Sequence, residues 1–222
     1  MATAHPNIFI VEDQGMFRDF LTAICQGLYP AASIYGCECG SAAVQSGTTV
    51  KPDLILLDIN LPDMDGFEVG QQLLERYPFV RVLVVSAECT EALVLRLKNA
   101  RFAGFVDKKE PTSAISTAIA TVLDGQTYLS ESVRQTQTQL RTNKWPKVLT
   151  NTEIKVLPFL GAQVETPLIA AQFGIAKETI LWHKKNIKLK LDLKSDIELT
   201  RFCAEKGFVL TGSEGFRPVS RF

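Results

Sequence analysis

The chain has 222 residues, which is long enough for two modest domains, because ~100–200 residues per domain is usual. Its hydrophobic content of 46% and charged content of 22% are ordinary globular values, and no apolar run approaches the roughly 20 residues of a membrane span. The net charge is zero, but the charges are unevenly distributed. Residues 1–125 are acidic, with 9 Lys and Arg against 15 Asp and Glu, and residues 126–222 are basic, with 15 Lys and Arg against 9 Asp and Glu. The basic half is therefore the candidate for binding a polyanion.

Short apolar runs alternate with helical patterns over residues 1–125. The predicted strands are Asn7–Val11, Ser33–Cys39, Leu54–Leu57, Val80–Val85 and Gly104–Asp107. The predicted helices are Met16–Leu28, Ser41–Ser46, Phe67–Tyr77, Glu91–Ala100 and Thr112–Leu123. This alternation predicts an α/β doubly wound domain with a five-stranded parallel sheet covered on both faces. The ligand site of such a sheet lies beyond the carboxyl ends of its strands, where the strand order reverses.

Polar residues follow four of the predicted strands at the point where each strand ends. They are Glu12 and Asp13, then Asp58, Ser86 and Lys108. Parallel strands bring these ends to one rim, where three crowded carboxylates repel one another and need a cation. Mg²⁺ is suited to this role, because it accepts a few oxygen ligands and keeps several waters for an incoming phosphate. A hydroxyl and an ammonium can receive phosphoryl oxygens, and an aspartate can act as the nucleophile.

A simpler interpretation applies to each of these residues taken alone. An Asp at a strand end is usually a turn or cap residue, and Ser86 and Lys108 are open to roles as a helix cap and a surface charge. Asp63 and Asp65 lie in "LPDMDG", where Pro and Gly already specify a turn, so both are predicted to be turn residues that bond to the backbone. Four strand ends that fit one phosphate site together favour the chemical interpretation.

These motifs, taken as a set, resemble the receiver domain of two-component systems. The resemblance covers residues 7–124 and includes Glu12-Asp13, "DINLPDMDG" around Asp58, "VVSA" with Ser86, and "GFVDK" ending in Lys108. It implies that Asp58 accepts a phosphoryl group from a sensor histidine kinase. It also implies that Ser86 and Lys108 bind the phosphoryl oxygens.

The resemblance further implies a metal site and a switch residue. Asp13, Asp58 and the backbone carbonyl of Asn60 would hold Mg²⁺, and Glu12 would act through water. Phe105 would be the aromatic switch residue that turns inward. Asp107 departs from the family, which usually has an apolar residue beside the lysine, and its carboxylate is expected to affect how Lys108 engages phosphate.

A phosphatase of the haloacid dehalogenase type is the alternative for this half, because it also uses a nucleophilic Asp with Mg²⁺, a hydroxyl and a lysine. That family has a second aspartate two residues after the nucleophile as its general acid. The corresponding residue here is Asn60, which cannot donate a proton in that way. The sequence therefore predicts a protein that accepts and slowly loses a phosphoryl group and is not a turnover enzyme.

The rear of the chain has helical patterns after a polar stretch. Residues 126–147 are rich in Gln and Thr and are predicted to be a linker with some helical structure. Thr150 and Glu153 have the spacing of a capping box at the start of a first helix, and Thr166 is the predicted cap of a second helix that Gly174 ends. A third helix is predicted at Lys177–Leu191 and a fourth at Ser195–Lys206, stopped by Gly207.

Three segments of this half resemble the LuxR-type helix-turn-helix of NarL/FixJ response regulators: "LTNTEIKVL", "LIAAQFGIAKETI" and "HKKNIKLKLDLKSDIEL". The resemblance covers residues 148–209. It implies that the third helix enters the DNA major groove and that the fourth packs in a homodimer interface when the protein is active. The predicted contacts to double-stranded DNA are Lys177, Thr179, Trp182, Lys185 and Lys188. Trp182 is expected at base edges or thymine methyls and the lysines at phosphates.

Three departures from this pattern keep a second function open. Leu181 stands where the family often has a basic residue, Lys184 stands where an apolar core residue is usual, and Pro158 lies inside the first helix. The alternative is a phospho-dependent protein-interaction module whose helical half does not bind DNA specifically. Residues 210–222 are a tail of unknown role. The five cysteines are odd in number and lack metal-ligand spacing, which favours a reducing cytoplasm.

Overall fold

The computed structural model describes residues 5–46 and 51–210. These residues form two compact units, of which the first holds most of residues 5–134 and the second most of residues 135–210. The tail predicted from residue 210 onward lies outside the described residues, apart from Leu210 itself. Within the described ranges, no helix has the length and apolar character needed to cross a bilayer.

Six parallel strands form the sheet of the first unit, in the order β2-β1-β3-β4-β5-β6. They are β1 (Asn7–Val11), β2 (Ser33–Cys37), β3 (Leu54–Leu57), β4 (Arg81–Ser86), β5 (Gly104–Asp107) and β6 (Tyr128–Leu129). All neighbouring strands pair in parallel. The predicted α/β doubly wound class is therefore confirmed, with one strand more than predicted.

Helices cover both faces of this sheet. They are α1 (Gly15–Leu28), α2 (Gly40–Ser46), α3 (Gly66–Arg76) and α5 (Thr112–Leu123), while α4 (Glu91–Asn99) follows β4 in the chain. Alternate strand residues face opposite sides, because the side-chain period of a strand is two. The face under α1 and α5 includes Ile8, Ile10, Leu54 and Leu56. The face under α3 includes Phe9, Val11, Ile55 and Leu57.

The segment predicted as a linker has more regular structure than expected. It begins with β6, which pairs with β5 through Gly104 with Tyr128 and Phe105 with Leu129. Helix α6 (Glu131–Thr142) and the short α7 (Trp145–Val148) follow. A two-residue strand has no alternation to detect in the sequence, and the Gln- and Thr-rich composition of α6 concealed its helix.

The second unit is helical and has the helix order predicted from the caps. Its helices are α8 (Asn151–Gly161), α9 (Thr166–Phe173), α10 (Lys177–Lys190) and α11 (Asp196–Lys206). The capping box of α8 is confirmed, since Thr150 accepts from the Glu153 amide while the Glu153 carboxylate accepts from the Thr150 amide. Gly174 and Gly207 end α9 and α11 with φ of 64° and 76°, a left-handed conformation that glycine adopts without penalty.

Prolines lie in the first turn of α9 and inside α8. The predicted cap Thr166 is wrong, because Glu165 is the N-cap of α9 and Thr166 is already helical, which leaves Pro167 in the first turn. The helix began one residue earlier than the Thr-Pro pair indicated, a shift within the usual spread of helix boundaries. Pro158 lies inside α8 as predicted, and the helix continues past it, since the Ala162 amide donates to the Pro158 carbonyl at 3.0 Å.

Candidate functional site

The four predicted strand ends meet at one edge of the sheet, next to the reversal of strand order. Strand β1 lies between β2 and β3, so the chain after β1 and the chain after β3 leave the sheet side by side. Asp58 follows β3 directly, and its amide donates to the Val11 carbonyl at 2.9 Å. Lys108 follows β5, and its amide donates to the Ser86 carbonyl at 2.9 Å. Strand pairing therefore fixes the backbone of each site residue.

The Lys108 ammonium lies between two buried carboxylates. Its Nζ donates to Asp58 Oδ2 at 2.7 Å and to Glu12 Oε1 at 2.9 Å. The side chain of Lys108 is 8% exposed, that of Asp58 is 3% exposed and that of Glu12 is 1% exposed. A buried carboxylate is costly unless it is paired, so the lysine makes this acidic corner tolerable.

The pKa values at this site reflect that competition between burial and charge. Burial is the largest influence on Glu12 and raises its pKa, and the nearby Asp58 charge adds to the effect while Lys108 opposes it. Burial also acts on Lys108 most strongly, in the lowering direction, but the hydrogen bond and charge of Asp58 outweigh it and leave the lysine pKa raised. The lysine therefore stays a cation, whereas the ionised form of Glu12 is held at a cost.

Glu12, Asp13 and Asp58 form an acidic cluster that could hold a metal ion. One carboxylate oxygen from each lies within 4.8 Å of the others. Glu12 Oε2 is buried and forms an ion pair with Lys108 Nζ at 2.8 Å, but it has no hydrogen-bond partner within the described residues. Asp13 is exposed, so the cluster opens to solvent on its side. An oxygen-only set with one unsatisfied buried oxygen and open access fits a hard divalent cation.

The other predicted site residues lie around this cluster. Asn60 is exposed on the loop after β3, and its backbone amide donates to Asp58 Oδ1 at 3.1 Å. Ser86 ends β4 and is buried, with its hydroxyl oxygen 3.4 Å from the Glu88 amide. Phe105 lies in β5 with no exposed surface, so its ring is in the inward position expected of a switch residue.

The three remaining aspartates of the region bond to backbone amides. Asp107 accepts from the Lys109 amide at 2.9 Å, so this departure from the family forms a local turn and no ion pair with Lys108 is seen among the described contacts. Asp65 caps α3 by accepting from the Phe67 amide at 2.7 Å, as predicted for a turn residue. Asp63 also bonds to backbone, but its partners are distant, the amides that begin α2 at Gly40 and Ser41.

Residues in the first turns of α1 also contact the site and were not predicted. The Phe17 ring lies under Lys108, with 4.8 Å between Nζ and the ring centroid. Arg18 donates to the Glu12 carbonyl at 2.7 Å. Both residues belong to an amphipathic helix, so the helical pattern predicts only core packing for Phe17 and a surface position for Arg18.

A second cluster of predicted residues lies on α10, the second helix of the helix-turn-helix. Trp182 is 59% exposed, and Leu181 beside it is 51% exposed. Lys177 and Lys185 are exposed as well, and Thr179 is partly buried. Ile180 and Ile187 are fully buried on the opposite side of the helix. The buried face and the exposed face of this helix are therefore separated as helical spacing requires.

Most lysines of α10 have partners inside the helical unit. Lys184 and Lys188 contact opposite oxygens of Asp196 at 2.6 and 2.9 Å. Lys190 contacts both oxygens of the buried Glu153, at 2.9 and 2.8 Å. The unusual Lys184 is thus accommodated by Asp196, a residue that the sequence pattern had not connected to it.

Comparisons with known proteins match the two units separately and the chain as a whole. Residues 8–120 match the family described as response regulator receiver domain, and residues 147–203 match the family described as bacterial regulatory proteins, luxR family. The "Response regulator GacA" of Pseudomonas viridiflava is 25% identical over 208 residues, covering 91% of this chain and 97% of GacA. The "Transcriptional activator protein ExaE" of Pseudomonas putida is 28% identical over 211 residues, with the same coverages.

A similar fold occurs among solved structures. RcsB from Salmonella enterica serovar Typhimurium, bound to promoter rprA in the presence of phosphomimetic BeF3-, has a TM-score of 0.68 and 18% sequence identity. The match covers 90% of this chain and 98% of that chain. At this level of identity the likeness describes the fold.

Proposed function

Since this chain belongs to the response regulators that join a receiver domain to a LuxR-type helix-turn-helix domain, we propose that phosphoryl transfer from a histidine kinase to Asp58 controls its binding to DNA and thereby transcription. The observation that carries the proposal is the Asp58–Lys108 contact of 2.7 Å beside a three-carboxylate cluster. It supplies the nucleophile, a cation for the transferred group, and a place for a metal.

The chemistry of the transfer follows from these side chains. An Asp58 carboxylate oxygen attacks the phosphorus of a phosphohistidine, so a P–O bond forms as the P–N bond breaks. The imidazole nitrogen keeps the electron pair of the broken bond and takes up a proton. Lys108, already 2.7 Å from Asp58, is the cation that stabilises charge on the phosphoryl oxygens.

We propose Mg²⁺ as the cation of the acidic cluster. Glu12, Asp13 and Asp58 offer carboxylate oxygens, and the Asn60 carbonyl lies on the same loop as the nucleophile. A bound Mg²⁺ would neutralise the carboxylates and the phosphoryl oxygens. Two hydrogen bonds hold the Asp58 carboxylate in place: the backbone amide of Asn60 donates to one oxygen, and the Lys108 ammonium donates to the other.

Labelling with a small phosphodonor tests this part of the proposal. Wild-type protein with donor and Mg²⁺ should gain one phosphoryl group, mapped to Asp58 by mass spectrometry of peptides. The Asp58→Asn variant should gain none, and chelation of Mg²⁺ should suppress labelling of the wild type. Labelling that maps to another residue, or that persists in Asp58→Asn, would contradict the assignment.

We also propose that the protein is not a turnover phosphatase. A general acid two residues after the nucleophile would be needed, and Asn60 offers an amide there. The exposed position of Asn60 supports a role of its backbone only. A steady release of phosphate from excess donor, at rates typical of enzymes, would overturn this point.

The helical unit supports the DNA-binding part of the proposal. Its third helix α10 exposes Trp182 and Lys185 on one side, as a recognition helix does, and Lys177 is exposed in the first turn. Helix α10 begins without a side-chain cap in the described structure, so amide groups at its N-terminus are available to phosphate oxygens. Recovery of genomic fragments by the full-length protein, and loss of that recovery in Trp182→Ala, would support this function.

The protein-interaction module stays a second candidate because of the paired lysines. Lys184, Lys188 and Lys190 all contact carboxylates within the unit, so fewer cations face outward than the sequence alone indicates. Failure of the protein to form any DNA complex at low salt, with and without phosphodonor, would favour this candidate.

We further propose a homodimer in the active state and a cytoplasmic location. On α11, Ile197 is 78% exposed while Leu199 is buried, so the outer side of this helix offers an apolar contact to a second copy. Light scattering should detect dimers after phosphorylation, and Ile197→Lys should reduce them. Cys25 and Cys203 are buried free thiols, and burial raises the pKa of each to about 12, which accords with packing residues in a reducing compartment.

A further inference from the structure

The outward side of α10 is apolar to an unusual degree for a helix that faces DNA. We call the residues Glu178, Leu181, Trp182, Lys185 and Leu189 the reading strip. At 3.6 residues per turn they fall within ~100° of the helix circumference. Leu181, Trp182 and Leu189 are 51%, 59% and 78% exposed. The strip thus presents three large apolar side chains together with one carboxylate and one ammonium.

The lysines beside the strip are turned away from it. Lys184 and Lys188, on one flank, contact Asp196, and the hydrogen bonds from these two lysines lower the pKa of that carboxyl. Lys190, on the other flank, contacts the buried Glu153. Lys185 is the lysine of the strip itself and has no acidic partner within 4.0 Å among the described residues. The strip is therefore poor in available positive charge, although α10 is rich in lysine.

From this arrangement we propose that the reading strip recognises thymine in the major groove through apolar contacts of Leu181 and Trp182 with the thymine methyl groups. This inference rests on the proposed DNA-binding function. The C5 methyl of thymine is the apolar feature of the major groove. Arg, Asn and Gln are absent from these five positions, which leaves Lys185 as the one side chain of the type that reads guanine. Glu178, near the start of the helix, already lies 3.8 Å from the Lys177 ammonium.

DNA suits this strip better than a protein partner because of the surroundings. The uncapped N-terminus of α10 offers amide groups to phosphate oxygens, and exposed Lys177 and Lys185 carry the charge that a polyanion attracts. A protein groove would instead have to accommodate these charges around an apolar strip.

The arrangement also sets the salt dependence of binding. Each phosphate neutralised contributes about 0.9 to the slope of log affinity against log salt. Lys185→Ala should therefore reduce that slope by about 0.9 per recognition helix, because this ammonium is free to contact phosphate. Lys188→Ala should change it far less, because Asp196 already holds this lysine at 2.9 Å.

Replacement of thymine by deoxyuridine tests the inference, because deoxyuridine lacks only the methyl group. Preferred sites are first selected from a random duplex library with the full-length phosphorylated protein, and each thymine is then replaced in turn. At one or two positions the affinity of the wild type should fall about 4-fold per buried methyl group. In Leu181→Ala or Trp182→Ala the same replacement should have no effect at the position that the missing side chain contacts. Phe79→Ala, a substitution at a 90% exposed residue outside the strip, is the control and should retain the full sensitivity to deoxyuridine.

The possible outcomes separate this inference from the function on which it rests. DNA binding without any deoxyuridine effect, or with the same effect in wild type and both variants, would overturn the thymine reading and leave DNA binding intact. No complex with any duplex at low salt would overturn both. Recovery of a protein partner that depends on Trp182, with no selected DNA site, would assign the strip to protein recognition and so also overturn the inference.

Discussion

Each unit has a buried glutamate that contacts a lysine, and the two carboxylates differ in how completely they are hydrogen-bonded. Glu12 shares Lys108 with Asp58, and one of its oxygens is left without a hydrogen bond in the described structure. Glu153 receives Lys190 on both oxygens and also caps its own helix through the Thr150 amide and hydroxyl. One glutamate is incompletely satisfied and the other fully satisfied.

The pKa directions of these two carboxyls reflect that difference. Burial raises the pKa of Glu12 above its ordinary value of 4.5. Burial also acts most strongly on Glu153, but hydrogen bonds from Lys190 and Thr150 outweigh it and lower its pKa. A carboxylate that the fold does not fully stabilise is available for a metal or a phosphoryl group. A carboxylate that the fold stabilises completely has a structural role.

The largest expected effect concerns the lysine of the receiver site. Lys108→Met should slow phosphorylation of Asp58 by a small phosphodonor by about 100-fold, because removal of one donor to a developing charge costs this much. The exposed neighbour provides the matched control, and Lys109→Met should keep the wild-type rate. The rate is measured by mass spectrometry of the phosphorylated fraction over time. Equal rates in both variants would mean that Lys108 has only a structural role, like Lys190.

A smaller effect is expected at the structural glutamate. Glu153→Ala should destabilise the helical unit by about 2 kcal/mol, because it removes half of the capping box and leaves Lys190 without its partner. Amide hydrogen exchange along α8 in the full chain measures this loss locally. Glu165→Ala is the control, since Glu165 precedes α9 without a side-chain cap bond in the described structure. An exchange rate in α8 that stays at the wild-type level in Glu153→Ala would contradict the structural assignment.

The pH dependence of stability should have opposite signs at the two sites. A carboxyl whose pKa is raised by folding makes stability fall as pH rises from 4.5 through the raised value, so Glu12→Gln should remove that fall. A carboxyl whose pKa is lowered makes stability fall as pH decreases from 4.5 through the lowered value, so Glu153→Gln should remove that loss. Urea unfolding across this pH range, followed separately for each unit, measures both slopes. Slopes of the same sign would contradict the comparison.

The smallest effect is expected at the exposed ion pairs of α10. Lys184→Ala should cost less than about 0.5 kcal/mol, because Asp196 is 58% exposed and retains Lys188. The measurement is the urea midpoint of the helical unit. A loss of several kcal/mol would show that this pair is as structural as the Glu153–Lys190 pair.

The receiver site was predictable from the sequence because the carboxyl ends of parallel strands lie at the same edge of the sheet. Each of Asp58, Ser86 and Lys108 follows a strand whose apolar run is evident in the sequence, so local pattern and topology sufficed. The position of Asp63 was not predictable, because its amide partners belong to a helix 22 and 23 residues away. The turn pattern predicted that Asp63 accepts from backbone amides, but it did not indicate that these amides belong to α2.

The helical unit shows the same limit for charged residues. Caps at Thr150, Gly174 and Gly207 have local signatures and were predicted, whereas the cap of α9 was displaced by one residue to Glu165. The ion pair from Lys184 to Asp196 bridges two helices, and helical spacing within α10 holds no information about it. Strand β6 was missed for a different reason, since two residues form no periodic pattern.

Recovery of genomic DNA by the full-length protein tests the central claim most directly, namely that phosphorylation of Asp58 controls DNA binding. Wild type and Asp58→Ala are each incubated with fragmented genomic DNA, with and without a small phosphodonor and Mg²⁺, and the bound fragments are sequenced. We predict that the donor changes the amount of specific fragments bound by the wild type and has no effect on Asp58→Ala. Identical recovery in all four conditions would contradict phosphorylation control.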